Sequence, residues 1–263
     1  EKKATQTVSF NNNGGSGGQA TSVEATKGQA MPAISKVAPK RTGYTFQGWY
    51  DTSANSGGKK YYSANGSSAC NWDKDTDTTL FARWTPITYN VRYFDKAGNH
   101  KATDTKTYGE TFTLRGNPGW TAAGYTAQGW ARSANQTSRT HTFGQSVSNL
   151  ATTQNANVDF YVAETPNPYN VRYFDKAGNH IATDQKTYGT TFTLRGDPGR
   201  TAAGYTAQGW ARGANQTARA YTFGQSVSNL ATSGNFDLYV AETPNTYNVR
   251  YVTQDGTHIG TEA

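Results

Sequence analysis

Three histidines recur in equivalent settings, and each has a carboxylate four residues on: His100 with Asp104, His180 with Asp184, His258 with Glu262. Imidazole and carboxylate together could relay a proton or begin a metal site. In an extended strand, however, residues four apart share a face at about 13 Å, too far for a hydrogen bond. No further ligand lies nearby, so a solvated strand histidine is the simpler reading. Asp73, Asp75 and Asp77 alternate in "WDKDTDTT". They could begin a calcium loop, but the glycine and terminal glutamate of an EF-hand are missing. Asp95 and Glu164, and again Asp175 and Glu242, give one carboxylate pair per copy of a repeated segment. A glycosidase needs such a pair, set in a deep cleft that an eighty-residue bead rarely supplies. There is no H-E-x-x-H or P-loop. No catalytic residue, metal ligand or cofactor is therefore assigned, and the chain reads as no enzyme.

Composition limits the elements that could position a site. Leu, Ile, Val and Phe total 33 of 263 residues, low enough to raise the question of disorder. Against this stand 17 Tyr, 11 Phe and 6 Trp, and large rings bury much apolar area each. Several small domains with aromatic cores are expected rather than one large aliphatic core. The net charge of +7 is spread without a basic run interleaved with aromatics, which argues against nucleic acid. Cys70 is the single cysteine, so an internal disulfide is excluded. No apolar run reaches 18 residues, so no membrane insertion is expected. Glu1-Lys2-Lys3 opens no signal peptide, and the chain reads as an excised part of something longer.

The organisation is repetitive. From Tyr89 the sequence reads "YNVRYFDKAGNHKATDTKTYGETFTLRG", and from Tyr169 "YNVRYFDKAGNHIATDQKTYGTTFTLRG". Residues 89–168 align with 169–246 at 64 identities in 78 positions, with a gap placed at Ala156-Asn157. From Tyr247 the phrase restarts as "YNVRYVTQDGTHIGTEA". Residues 1–84 are a more distant copy, opening at Val8–Phe10 and closing at Leu80–Trp84. Four segments follow: 1–86, 87–166, 167–244 and a truncated 245–263. Pro86, Pro166 and Pro244 stiffen the joints. Period-two patterns dominate each copy, with hairpin turns at Lys176-Ala177-Gly178-Asn179 and Asp255-Gly256. Only "SVSNLA" at 226–231 reads as a short helix. The expected fold is mainly β, in tandem small modules with little helix.

One phrase occurs three times: "GYTFQGWYD" at 43–51 and "GYTAQGWAR" at 124–132 and 204–212. Tyr44 with Trp49, Tyr125 with Trp130, and Tyr205 with Trp210 read as core pairs. A bulge at Gly209 would turn the tryptophan toward the tyrosine's side. The functional alternative is an aromatic platform for sugar rings. Differences between the two near-identical copies point to surface positions: Trp120 becomes Arg200, His141 becomes Tyr221 and Lys101 becomes Ile181. A tryptophan that can become arginine is a poor candidate for core. Trp120, in the turn Gly116–Trp120, is thus the leading candidate contact, with Trp72 and Tyr221 beside it.

"TVSFNNNGG" at 7–15, "GYTFQGWYD" at 43–51 and "TLFARW" at 79–84 resemble, in that order, the Listeria–Bacteroides repeat family, which includes the internalin B-repeats. The later copies share GY-T-x-x-GW and the closing "LYVAET" or "FYVAET" but lack the Gly-rich opening, and look like a longer variant. The resemblance implies β-grasp-like modules on secreted or wall-attached bacterial proteins, with a spacer or adhesive role and no catalytic residues. A stalk is the leading expectation. The alternative is a carbohydrate-binding region of a large secreted glycosidase. A host-surface protein or glycan is a conceivable partner, and open β edges could let chains self-associate.

Overall fold

The computed structural model describes residues 4–262, so Glu1-Lys2-Lys3 lies outside the described residues. Nineteen strands and no helix occur among them. The chain divides into two compact units, one of residues 1–119 with 129–163, the other of residues 120–128 with 164–263.

The first unit contains one whole sheet, most of a second, and a ribbon. In the first sheet, β1 (Thr5–Asn11), β2 (Val23–Thr26), β3 (Tyr44–Tyr50), β4 (Lys60–Ser63) and β5 (Thr78–Pro86) are ordered β2-β1-β5-β3-β4. β1 and β5 run parallel, with Val8 opposite Thr78 and Phe10 opposite Leu80. Their inward residues Val8, Leu80, Ala82 and Trp84 meet Trp49, Tyr61, Tyr62 and Trp72 in one buried cluster. Rings thus supply the volume that the few aliphatic side chains cannot. The second sheet orders β7 (His100–Thr107), β6 (Thr88–Phe94), β11 (Asn157–Pro166) and β9 (Tyr125–Ala131) side by side. β6 and β11 are parallel, and Tyr89, Val91, Tyr93, Val158, Phe160 and Val162 are buried along them. β8 (Thr111–Thr113) and β10 (Ser146–Ser148) make a two-stranded ribbon.

The second unit repeats this plan. β13 (His180–Thr187), β12 (Pro168–Phe174), β17 (Gly234–Pro244) and β15 (Tyr205–Ala211) form its sheet in that order. β14 (Thr191–Thr193) pairs with β16 (Ser226–Ser228) in a ribbon. Trp210 sits among Tyr169, Val171, Tyr173, Leu194, Leu238 and Val240. β18 (Val249–Val252) and β19 (His258–Glu262) make a separate hairpin.

Two expectations change. "SVSNLA" is not helical: Val227 stands opposite Phe192 in the ribbon, and Asn229 turns to φ 53°. Six residues are too few to nucleate a helix, while a β-branched residue facing a ring suits a strand pair. The alignment gap also moves. Asn157 pairs with Asn90 as Asn235 pairs with Asn170, so Ala156 is the counterpart of Gly234 and the two extra residues fall before it, within residues 153–155.

Candidate functional site

The repeated phrase forms a strand in each copy, and its glycine and tryptophan work together. Gly48, Gly129 and Gly209 have φ of 126°, 147° and 143°. At Gly209 the register of β15 against β17 slips by one residue, which is the expected bulge, and the same slip occurs at Gly48 against β5. A Cβ at Gly209 would run into the carbonyl of Tyr221, and one at Gly129 into the carbonyl of His141. The bulge therefore needs glycine, and it lets the next residue turn inward. Trp49, Trp130 and Trp210 are buried. Trp130 donates its indole N–H to Arg115 O and Trp210 to Arg195 O, each at 2.8 Å. Tyr93 and Tyr173 pack against these indoles at 4.9 and 4.8 Å between ring centroids.

The tyrosines of the phrase lie elsewhere. Tyr44 and Tyr125 are half-buried, and Tyr205 is 37% exposed. Tyr44 packs from the edge against the first core cluster, which holds Trp49. Tyr44 stands edge-on to Tyr108, at 5.6 Å and 72°, and Tyr125 stands edge-on to Tyr188, at 5.5 Å and 75°. Tyr108 and Tyr188 belong to the Thr-Tyr-Gly turn that ends the hairpin of the following copy. The preceding glycine completes the contact. Gly43 (φ 76°) and Gly124 (φ 81°) lie flat against the rings of Tyr108 and Tyr188, where any Cβ would overlap the ring. A backbone relay runs alongside. Ile87 N–H donates to Gly43 O and Tyr108 N–H to Ile87 O, each at 3.0 Å. In the second unit, Asn167 N–H donates to Gly124 O at 2.8 Å and Tyr188 N–H to Asn167 O at 2.9 Å. The phrase is thus half core and half joint.

The candidate contact residues are placed as follows. Trp72 is 1% exposed and donates its indole N–H to the buried Gln6 Oε1 at 3.1 Å. Both ring faces are enclosed, so it is part of the first core and offers no platform. Tyr221 is half-buried against the third copy's core and packs edge-on to Phe236. Trp120 is half-buried rather than exposed, while Arg200, its counterpart, is exposed. Arg200 borders a shallow hollow of about 290 Å³ with Lys176, Asn215 and Glu242. Glu242 is fully buried, and Ala202 N–H reaches its carboxylate at 3.3 Å. The hollow thus gathers two cations and an amide side chain over a buried carboxylate.

The remaining charged residues have structural partners. His100, His180 and His258 hydrogen-bond to Thr103, Thr183 and Thr261 at 2.8, 2.8 and 2.7 Å. Asp104 and Asp184 pair instead with Arg115 and Arg195, each at 2.6 Å. Asp95 and Asp175 close the hairpin turns by accepting the N–H of Asn99 and Asn179. Lys59, and then the Tyr61 hydroxyl, hold Asp73 below the usual carboxylate range. Asp75 faces Lys27, and Asp77 accepts the N–H of Thr7. The three aspartates thus point to three partners, and among the described residues no three His, Cys, Asp or Glu side chains converge. Cys70 is half-buried; burial pushes its thiol up, and it donates to Lys60 O at 3.2 Å.

Comparison with known proteins agrees with this repeat-by-repeat plan. Residues 7–83, 89–161 and 169–240 each match the Listeria-Bacteroides repeat domain, and the chain belongs to that family, one of bacterial surface proteins. A curated "Putative membrane protein" of Evansella cellulosilytica is 27% identical over 213 residues. The match takes in 78% of this chain but only 28% of that relative's length. Among the described residues, no helix is long and apolar enough to cross a membrane.

Proposed function

We propose that this array of Listeria-Bacteroides repeats is a non-catalytic spacer on a bacterial surface protein, holding whatever lies beyond it away from the cell. Segments 1–86, 87–166 and 167–244 act as its building blocks, and 245–263 opens another. The observation that carries this reading is the recurring joint. Gly43 and Tyr44 meet Tyr108 in the same way that Gly124 and Tyr125 meet Tyr188. A chain that devotes its most repeated phrase to cores and joints is specified for linkage. That the array binds no nucleic acid and inserts into no membrane is part of the same proposal, and an adhesive role toward a host-surface protein or glycan is compatible with it. The test is to display the repeats on a bacterial cell with an epitope beyond them. Antibody access should fall stepwise as one, then two, copies are deleted. Access that does not depend on copy number would overturn the reading.

A second reading is supported by one observation. Arg200, at the position of Trp120, borders the hollow above Glu242. In this reading the array is a carbohydrate-binding region of a larger secreted enzyme, and the variable position tunes what is held. A glycan array with the folded chain and with Trp120→Ala and Arg200→Ala tests it. Saturable binding lost in either variant would favour recognition over spacing, and blank arrays would remove it.

A further inference from the structure

The third copy carries the same acceptor for a joint, and no Thr-Tyr-Gly turn follows it within this chain. Gly204 has φ 80°, matching Gly43 and Gly124. Asn245 N–H already donates to Gly204 O at 2.8 Å, as Asn167 does to Gly124. Thr206 Oγ1 donates to Asn245 Oδ1 at 2.6 Å, as Thr126 does to Asn167 at 2.5 Å. Half of the backbone relay is therefore set, side-chain brace included. What differs is the ring. Tyr205 is 37% exposed, while Tyr44 and Tyr125 are half-buried beneath Tyr108 and Tyr188. Where Tyr108 and Tyr188 present a ring to the earlier glycines, a Cβ on Gly204 would meet the hydroxyl of Tyr247 at 3.2 Å, a side chain itself 65% exposed. The counterparts of Tyr247 in the earlier copies, Tyr89 and Tyr169, are core residues at 0% and 2% exposure.

We propose that Gly204, Tyr205 and Asn245 form a preorganised docking face for the Thr-Tyr-Gly turn of a further copy of this repeat. The occupant is defined by the two filled examples. It must bring a tyrosine ring flat onto Gly204 and edge-on to Tyr205, and the N–H of that tyrosine must reach Asn245 O. It must also bring a glycine after the tyrosine. The Tyr125 hydroxyl stands 3.3 Å from where a Cβ on Gly189 would be, so a larger residue there would press on the acceptor ring. A successor whose hairpin continues from His258–Glu262 delivers such a turn in register. Ala263 aligns with Gln185, three residues before Tyr188. This inference rests on joint geometry alone and would stand if the array proved to bind a glycan.

The test compares the 263-residue chain with the same chain extended by a copy of residues 186–244. Tyrosine nitration by tetranitromethane is read peptide by peptide, with Trp210 fluorescence as the control for folding. Tyr205 should react about tenfold more slowly in the extended chain, since local protection scales with the population of the open state. Replacing the tyrosine of the appended turn with alanine should restore its reactivity. Equal reactivity of Tyr205 in both chains, or protection that survives that replacement, would overturn the proposal. A second arm does not depend on the added copy folding. Tyr188→Ala in the 263-residue chain must raise nitration of Tyr125 by a similar factor; an unchanged Tyr125 would show that the ring contact does not shield the acceptor. Protection of Tyr205 in the unextended chain that grows with protein concentration would mean that a second chain supplies the turn, and would overturn the in-chain assignment.

Discussion

Gly209 holds φ 143° with the carbonyl of Tyr221 where its Cβ would stand. Alanine there meets a strained backbone and a backbone atom that cannot swing away. Gly209→Ala should cost about 2 kcal/mol or more in a denaturant titration followed by tryptophan fluorescence. Gly213 supplies the control, because the preceding copy has Ser133 at that place. Gly213→Ser should stay within about 0.5 kcal/mol of wild type. If the two variants behaved alike, the bulge would not be what requires glycine. Trp72 offers a second comparison. Trp72→Ala empties a fully enclosed ring site, with an expected loss of about 3–5 kcal/mol and no effect on any glycan signal. The buried tryptophans were legible in the sequence, because an aliphatic-poor chain that repeats a residue once per copy needs it for volume. The tyrosines were not. Their partners lie about sixty residues ahead, in a turn of the next copy, and strand periodicity carries no record of such a contact. Trp72 escaped for the opposite reason: it occurs in the divergent first copy, with no second version for comparison.

At the scale of elements, the sheet of each later copy is organised around a parallel pair, β6 with β11 and β12 with β17, which closes the repeat on its own opening strand. The alternation of "YNVRYF" and "DFYVAE" showed both strands, but not that they lie side by side, since their separation exceeds any turn signal. The ribbon was misread because "SVSNLA" is short and carries a serine that could cap a helix. Its partner strand "TFT" decides the matter only once the fold brings Phe192 to Val227. Burial within these sheets has a consequence at high pH. The Tyr93 hydroxyl is enclosed, and its pKa is raised to about 12, chiefly by burial. In the unfolded chain a tyrosine ionises near 10. The folded state disfavours the phenolate, so this contribution is complete below pH 10 and is lost as the pH rises from there toward 12. The loss is on the order of 2 kcal/mol. Denaturation midpoints between pH 9 and 12 should fall for wild type. They should fall less for Tyr93→Phe; parallel curves would show that the buried hydroxyl is not responsible.

At the scale of the whole molecule, a string of repeats is stabilised by the terms of each copy plus a term at each joint. Tyr108 is the residue with which that joint term can be isolated in the first unit. Its ring covers Gly43 and meets Tyr44, yet it is only half-buried and lies outside the first sheet's buried cluster. Its amide and that of Ile87 form the relay Tyr108 N–H to Ile87 O and Ile87 N–H to Gly43 O. Removing the ring should therefore open the joint and leave the sheets intact. In Tyr108→Ala, hydrogen exchange at the amides of Ile87 and residue 108 should accelerate about tenfold or more, while exchange between β1 and β5 stays at the wild-type rate. Two outcomes would contradict this. Uniform acceleration would mean that the ring is part of a cooperative core. Unchanged exchange at Ile87 would mean that the linker proline and backbone hold the joint without the aromatic pair. The contrast bears on function directly, because a spacer depends on its joints: copies with sound cores and open joints would transmit neither distance nor direction to whatever they carry.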